Sequence, residues 1–317
     1  MESTPRRVPI QFNPTSGSGR KHRKLLELVR CLRRSGLRPR LFSRRERLTA
    51  WLGRSENRDD CRCIVAAGGD GTVGDVLNRY PGLPVAIFPL GTENLLAKFL
   101  GIRASAELVT RMIAAGQSRS LDLCTLGELR FAIMASCGFD AAVVHRTHAA
   151  RRGHITQLSY LWPTWQTLCR YRYPRVRLFL DDAESPLVGV LAEFVNVPAY
   201  ALGLPVARSA RGDDGQIDVR LFQRPSAFHL IRYCYKVLRG KHESLPDVIS
   251  ARASRVRVES DDPVPVQVDG DPAGWTPTEI RVLPGAAEFL IPERRTDQPP
   301  RESSEGVRRA GESGDNW

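Results

Sequence analysis

Residues 64–72 read Ile-Val-Ala-Ala-Gly-Gly-Asp-Gly-Thr. Four apolar residues without alternation read as a strand buried on both faces. The glycines then permit a tight turn, and Val73–Asn78 can begin a helix. A strand, a Gly-rich turn and a helix N-terminus together make an anion cradle, because free backbone N–H groups and the positive end of the helix dipole point at one spot. Asp70 sets this version apart. A carboxylate beside a phosphate repels it unless a metal, a proton or a hydroxyl mediates, so the segment suggests phosphate chemistry as well as phosphate binding. A structural Gly-rich βα turn is the competing reading, and the rest of the chain has to separate the two.

Outward from this stretch the same pattern repeats. Val8–Phe12 is a short apolar run ending in Asn13-Pro14-Thr15-Ser16-Gly17-Ser18-Gly19, a strand followed by a Gly/Ser loop. The next helix carries Leu25, Leu28, Val29 and Leu32 at i, i+3, i+4 and i+7 and is closed by Ser35-Gly36. Pro39–Ser43 reads as a strand and Leu48–Gly53 as part of a short helix. Pro84–Phe88 is a further apolar strand running into Pro89-Leu90-Gly91-Thr92-Glu93-Asn94, then a helix through Leu100, and Ala106–Ala115 is another amphipathic helix. The order βαβαβαβα predicts a parallel, doubly wound sheet with ligands at the carboxyl ends of its strands. The loops at 13–19, 68–72 and 91–94 each follow a strand, so they converge on one edge.

After residue 120 the texture changes. Leu121–Leu123, Phe131–Ser136, Val176–Leu180, Val188–Val195, Ile217–Phe222, Arg255–Val258, Val264–Val268 and Glu279–Leu283 are short strand-like runs separated by Gly, Pro and Asp. That predicts a sandwich or barrel, interrupted by helices near 155–172 and 225–239. The expected organisation is an α/β domain over 1–120, a β-sandwich domain over 121–292 and a disordered tail over 293–317. No internal repeat is visible.

Composition bounds the function. The chain has 317 residues, of which 42% are hydrophobic, and suits two domains. Its apolar runs fall far short of the roughly 20 residues that a bilayer span needs, and the N-terminus has no apolar signal core. The seven scattered cysteines fit reduced thiols better than a disulfide framework. Cys61 and Cys63 read as strand residues. These features predict a cytoplasmic protein. The net charge of +12 is concentrated early: Arg20–Arg47 holds twelve Lys/Arg against two Glu. A solvated helix face explains such a run, as do nucleotide phosphates or an anionic membrane. No interleaved aromatics, helix-turn-helix or zinc-finger spacing support nucleic acid as a partner.

The motifs together resemble the diacylglycerol kinase catalytic family, which includes bacterial soluble lipid kinases and sphingosine kinases. The match rests on Phe12–Gly17, Gly68–Thr72 and Pro89–Ala97, in that order and spacing. Two later segments extend it: Ala207–Phe222, with Asp213-Asp214-Gly215-Gln216-Ile217-Asp218, and Val266–Asp271. The resemblance covers roughly residues 8–292. It implies an N-terminal α/β domain, a C-terminal β-sandwich and a nucleotide cleft between them. The implied activity is ATP-dependent, Mg²⁺-dependent phosphorylation of a lipid hydroxyl, diacylglycerol to phosphatidic acid by default. On that resemblance Asn13, Pro14, Ser16 and Gly17 line the nucleotide phosphates. Gly68, Gly69, Asp70, Gly71 and Thr72 form the triphosphate loop, while Thr92 and Asn94 lie in the next nucleotide loop. Ser43 stands where many members have a nucleotide-contacting Thr. Asp214 holds a structural Mg²⁺, completed by the backbone carbonyls of Arg211 and Gln216. Asp271 is the general base, with Asp70 as the rival base or a metal partner.

Two departures stand out. The family's Asp-Gly-Glu is here Asp269-Gly270-Asp271, one methylene shorter at a place where near-attack geometry is sensitive to an ångström. Glu93 replaces a small residue and reads as an acid in the first turn of a helix. Taken singly, Asp213–Gly215 and Asp269–Asp271 read as turns. His145 and His148 lack a third ligand and read as surface or core histidines. Leu158–Tyr173, rich in aromatics and flanked by Arg151, Arg152, Arg170, Arg172 and Arg175, suits a headgroup-level interface or a core-packed helix equally. With the 20–47 cluster it predicts peripheral docking on anionic lipid. A homodimer is left open. Two other functions compete: a relative of the NAD kinases, which also carry a Gly-Gly-Asp-Gly turn, and a lipid- or nucleotide-binding module weakened at 271. The Pro89–Asn94 loop and the late Asp-Gly-Asp argue against the first.

Overall fold

The computed structural model describes residues 5–13, 19–150, 161–198 and 206–293. The first half alternates strands and helices. β1 (Arg7–Phe12), α1 (Gly19–Arg34), β2 (Arg38–Phe42), α2 (Arg45–Leu52) and α3 (Ser55–Asp59) lead into β3 (Ile64–Gly68) and α4 (Asp70–Arg79). β4 (Val85–Pro89), α5 (Leu95–Phe99) and α6 (Ala106–Ala115) follow. β3 and β4 are buried at every position, as unbroken apolar runs require. Leu25, Leu28, Val29 and Leu32 are the buried stripe of α1. The Ser105 hydroxyl caps α6 by accepting from the Leu108 amide, and Gly116 ends it in a left-handed conformation. α4 starts at Asp70, three residues before the predicted helix, so Asp70 is in its first turn.

The second half is mostly antiparallel. It comprises β5 (Ser118–Leu126), β6 (Leu129–Phe131), β7 (Met134–Cys137), α7 (Phe139–Ala149), α8 (Leu161–Arg170), β8 (Val176–Leu180), β9 (Leu187–Gly189), β10 (Leu191–Val195) and β11 (Ile217–Phe222). α9 (Ala227–Leu238), β12 (Val248–Ala253), β13 (Arg255–Ser260), β14 (Pro265–Val268), β15 (Asp271–Trp275) and β16 (Thr278–Leu290) complete it. α7, β12 and β15 were not anticipated. The buried residues of α7 (Phe139, Ala141, Val143, Val144 and Thr147) run too far round the helix to give a one-sided stripe. The predicted strands 131–136 and 188–195 are each broken in two.

Two sheets result. The first has the order β2-β1-β3-β4-β16-β13-β8-β9, with β5 on β16 and β6 on β5; the second has the order β12-β11-β10-β7-β14-β15. β16 joins the halves. Its start pairs with β13, and its end runs parallel to β4 with Phe289 opposite Val85. Pro284-Gly285 therefore does not end the strand at Leu283 as expected. The register against β5 shifts between Leu283 and Ala287, and the Asp122 carboxylate accepts the Gly285 amide at 2.8 Å. Ala287, Phe289 and Leu290 thereby enter the core beneath the parallel strands, while Ile280 belongs to the core between the two sheets. A third core lies on the outer face of the second sheet, beneath α7 and α9, with Leu168 of α8 packed against it. Among the described residues no helix is long and apolar enough to cross a membrane.

Candidate active site

The parallel register brings four strand ends to one edge: Gln11 lies opposite Phe42, Phe12 opposite Ala67, and Gly68 opposite Pro89. Ser43, Asn13, the 68–72 turn and the 90–94 turn all leave from that edge, and Ser43, Asn13 and Thr92 are exposed there. Pro14, Ser16 and Gly17 lie outside the described residues.

The two glycine turns hold each other. The Leu90 and Gly91 amides donate to the Gly68 carbonyl at 2.9 and 3.2 Å. A Cβ on Gly91 would stand 2.3 Å from the Gly69 Cα, and one on Gly68 would stand 2.1 Å from the Thr72 Oγ1. Gly91 is thus demanded by backbone approach, and Gly68 by the Thr72 side chain packed against it. Asn94 adopts a left-handed conformation at φ 51°. Its side chain accepts from the Gly91 amide at 2.8 Å and donates to the Gly91 carbonyl at 2.9 Å, bracing the turn. Asp70 accepts from the Leu95 and Leu96 amides at 3.0 and 3.2 Å, so it caps α5 and ties the second loop to the third. Burial raises its pKa, opposed by those amides and by Lys98. Glu93 precedes α5 and pairs with Lys98 at 3.7 Å; the acid at the helix N-terminus is Asp70.

A third turn belongs to the second sheet. Asp269 and Gly270, both at positive φ, make the two-residue hairpin between β14 and β15. The Asp269 carboxylate accepts from the Ala132, Ile133 and Met134 amides at 3.2, 3.1 and 2.9 Å. Burial pushes it up to about 6 against those three bonds, and the Asp70 charge pushes the same way. The Gly270 amide donates to Gln267 Oε1 at 2.9 Å. Gln267 donates to the Ser136 hydroxyl at 2.9 Å, and that hydroxyl donates to Asp140 at 2.7 Å. On this braced turn Asp271 is turned outward, with a side-chain exposure of 64% and His148 Nε2 3.5 Å from its carboxylate.

The chain matches two family models: "Diacylglycerol kinase catalytic domain" over residues 7–126 and "YegS C-terminal NAD kinase beta sandwich-like domain" over residues 133–291. It is 31% identical to a diacylglycerol kinase of Mycobacterium tuberculosis over 242 residues, covering 72% of this chain and 76% of that one. The chain belongs to the diacylglycerol kinase family. A Bacillus subtilis diacylglycerol kinase is 23% identical over 306 residues, covering 92% of this chain and 99% of that one. A crystal structure of a diacylglycerol kinase from Bacillus anthracis str. Sterne superposes with TM-score 0.65 at 17% identity, covering 92% and 98% of the two chains, and so shares the fold. The protein is thus a kinase of a lipid kinase family, with an α/β half followed by an antiparallel β half.

Within this diacylglycerol kinase fold, the 211–216 loop is pinned from several sides. Asp122 accepts the Gly215 amide at 2.7 Å, and Arg119 pairs with Asp213 at 2.6 Å. Asp214 accepts the Gln216 amide at 3.3 Å, and the Arg252 guanidinium is seated on its other oxygen. Arg252 also reaches Asp218, at 3.5 Å. The charge that a structural Mg²⁺ at Asp214, Arg211 and Gln216 would supply is therefore already supplied by a protein cation. Among the described residues no three His, Cys, Asp or Glu side chains cluster as a metal site. A Mg²⁺ held by Asp214 with the Arg211 and Gln216 carbonyls would have to displace Arg252 from the carboxylate.

Three residues with structural partners at long range were not singled out from sequence. His148 was read as a bystander, yet α7 packs against β14 and β15 and sets it beside Asp271. Asp122 looked like an ordinary strand residue, and Asp269 like one letter of a turn. Each acts through a partner more than 90 residues away or on another element, which sequence spacing cannot show.

Asp269 carries a pH prediction. Between the ordinary carboxylate pKa near 4 and about 6, the folded protein holds a proton that the unfolded chain has lost. Stability therefore falls as pH rises through this window and is level above it. Wild type is expected to lose of order 2 kcal/mol more than Asp269→Asn between about pH 4 and about pH 7, read from urea midpoints. Equal losses in the two proteins would refute the assignment.

Proposed function

We propose that this kinase transfers the γ-phosphate of ATP, taken as its Mg²⁺ complex, to the hydroxyl of a membrane lipid, diacylglycerol first, yielding phosphatidic acid. One observation carries the reading. Asp70 and Asp269 spend their oxygens on backbone amides, whereas Asp271, two residues beyond Asp269, presents an outward carboxylate. In this proposal Gly68, Gly69, Gly71 and Thr72 cradle the phosphates at the N-terminus of α4, with Asn13, Pro14, Ser16 and Gly17 on the neighbouring loop. Ser43 and Thr92 contact the nucleotide. Asn94 and Asp70 hold the third loop in place. Asp271 takes the lipid hydroxyl proton as the new O–P bond forms and the bond to ADP breaks. Phosphoryl transfer through a loose transition state depends chiefly on positioning and charge neutralisation, so the shorter Asp271 carboxylate can serve.

We further propose a functional division into residues 1–120 and 121–292, with the last strand segment, 286–290, added to the first, and action at a membrane surface. The test is transfer of labelled γ-phosphate from ATP with Mg²⁺ to a total lipid extract and, in parallel, to NAD. Label in the organic phase that co-migrates with phosphatidic acid supports the proposal. Label on NAD would move the chain to the NAD kinases. If neither acceptor is labelled but Asp271→Glu restores transfer, the acceptor class stands and the missing methylene matters. If neither protein transfers, the binding-module reading replaces this one.

A further inference from the structure

α9 is amphipathic twice over. Leu230, Tyr233 and Val237 are buried in the outer core of the second sheet. Phe228, Ile231, Tyr235 and Leu238, spaced i, i+3, i+7 and i+10, form a second apolar row that is 73%, 58%, 51% and 65% exposed. Arg232, Lys236 and Arg239, spaced i, i+4 and i+7, run beside it, and no Asp or Glu occurs from Arg224 to His242. The Arg239 guanidinium lies 5.1 Å from the Tyr235 ring centre, joining the two rows.

A surface helix ordinarily gives its outer face to polar residues. An exposed apolar row with a cationic border is the pattern of a helix lying in a lipid interface. α8, which packs on α7 and adds Leu168 to the same outer core, exposes Trp162 and Trp165. Such rings favour the headgroup level. Six of the nine large apolar side chains exposed among the described residues sit on these two helices. At the N-terminal end of α9 a cleft of about 580 Å³ is lined by Arg175, Arg224, His229 and Arg232 together with Asp247. Arg232 and the Tyr233 hydroxyl both engage Asp247. With Arg175 and Arg224 also at its walls, the cleft favours an anion. It shares no residue with the glycine loops or the Asp271 turn.

We propose that α9, with Trp162 and Trp165 of α8, docks the protein on a bilayer containing anionic phospholipid. The apolar row enters the acyl boundary, while the basic row and the cleft meet headgroup phosphates. This placement keeps the aromatic stretch 158–173, of which 158–160 lies outside the described residues, and puts α9 where the sequence expectation had the 20–47 cluster. The purpose of docking rests on the lipid kinase reading, since the acceptor would lie in that bilayer.

The experiment is co-sedimentation of the full-length protein with phosphatidylcholine vesicles, with and without phosphatidylglycerol, at low and high salt. Binding is expected to be about tenfold tighter with phosphatidylglycerol and to weaken as salt is added. Ile231→Glu with Leu238→Glu should lower it about tenfold on every vesicle, and Lys236→Glu with Arg239→Glu only on the anionic ones. These side chains are exposed, and circular dichroism confirms folding. Binding that both double variants leave unchanged would overturn the proposal. So would a wild type that ignores vesicles, whether it is a monomer or a dimer that Ile231→Glu splits; the dimer would assign the row to a second copy. Transfer to short-chain diacylglycerol dispersed in water, measured on the same preparations, separates the two readings. Retained transfer without docking refutes only the surface, and docking without transfer refutes only the kinase reading.

Discussion

Asp271→Asn is expected to lower kcat by about 10²–10⁴-fold, the range over which a positioned general base contributes. The side chain is mostly exposed and its one ion-pair partner, His148, is 3.5 Å away, so the amide should fold as well as the acid. KM for ATP should stay within about twofold, because the substitution removes proton acceptance and not phosphate binding. Initial rates against lipid and against ATP, with a urea midpoint as the folding control, give the answer. An Asp271→Asn protein with wild-type turnover would move the base elsewhere, with Asp70 next. Asp70→Asn is a different experiment, because it strips a carboxylate from two amides of α5. Its loss of activity should come with a loss of stability.

Gly91→Ala is expected to cost about 1–3 kcal/mol and to abolish most turnover. The new methyl group would stand 2.3 Å from the Gly69 Cα and 2.8 Å from the Asn94 side-chain oxygen. Neither neighbour can retreat cheaply. The first is backbone held by the Gly68–Leu90 hydrogen bond, and the second is bonded twice to Gly91 itself. The two glycine turns must therefore part. Gly74→Ala is the matched control. It sits inside α4 with nothing within 4 Å of an added Cβ, so it should gain up to about 1 kcal/mol from helix propensity. Denaturant midpoints of both variants, with kcat/KM, decide the matter. A Gly91→Ala protein as stable and as active as wild type would show that the loops do not need their contact.

How far the sequence reaches can be followed residue by residue. Ile64–Gly68 and Val85–Pro89 were legible because an uninterrupted apolar run has one economical fate, a strand covered on both faces. Ala106–Ala115 was legible from its amphipathic pattern, and in the fold Ser105 and Gly116 cap it at both ends. α7 was not, since its apolar residues encircle it. β15, Asp271–Trp275, was not, since Asp-Pro-Ala-Gly-Trp has little strand character of its own and is a strand only because β14 pairs with it. Pro284-Gly285 looked like a terminator and is a bulge, because Asp122 and Ser120 satisfy the backbone groups that the missing ladder bonds leave behind.

The candidate site divides along the same line. The sequence by itself determined the parallel strands, the three loops on one edge and the set of glycines, since local propensity and burial act over a few residues and leave their mark in spacing. The tertiary structure alone decided which acids are tied to backbone amides or a protein cation and which stays exposed. Asp70, Asp122 and Asp269 are fastened to amides 25 to 163 positions away, Asp214 is fastened by Arg252, and Asp271 is left facing outward beside His148. A carboxylate's role depends on which donors surround it in space. Donors brought together by sheet pairing and helix packing leave no periodic trace along the chain.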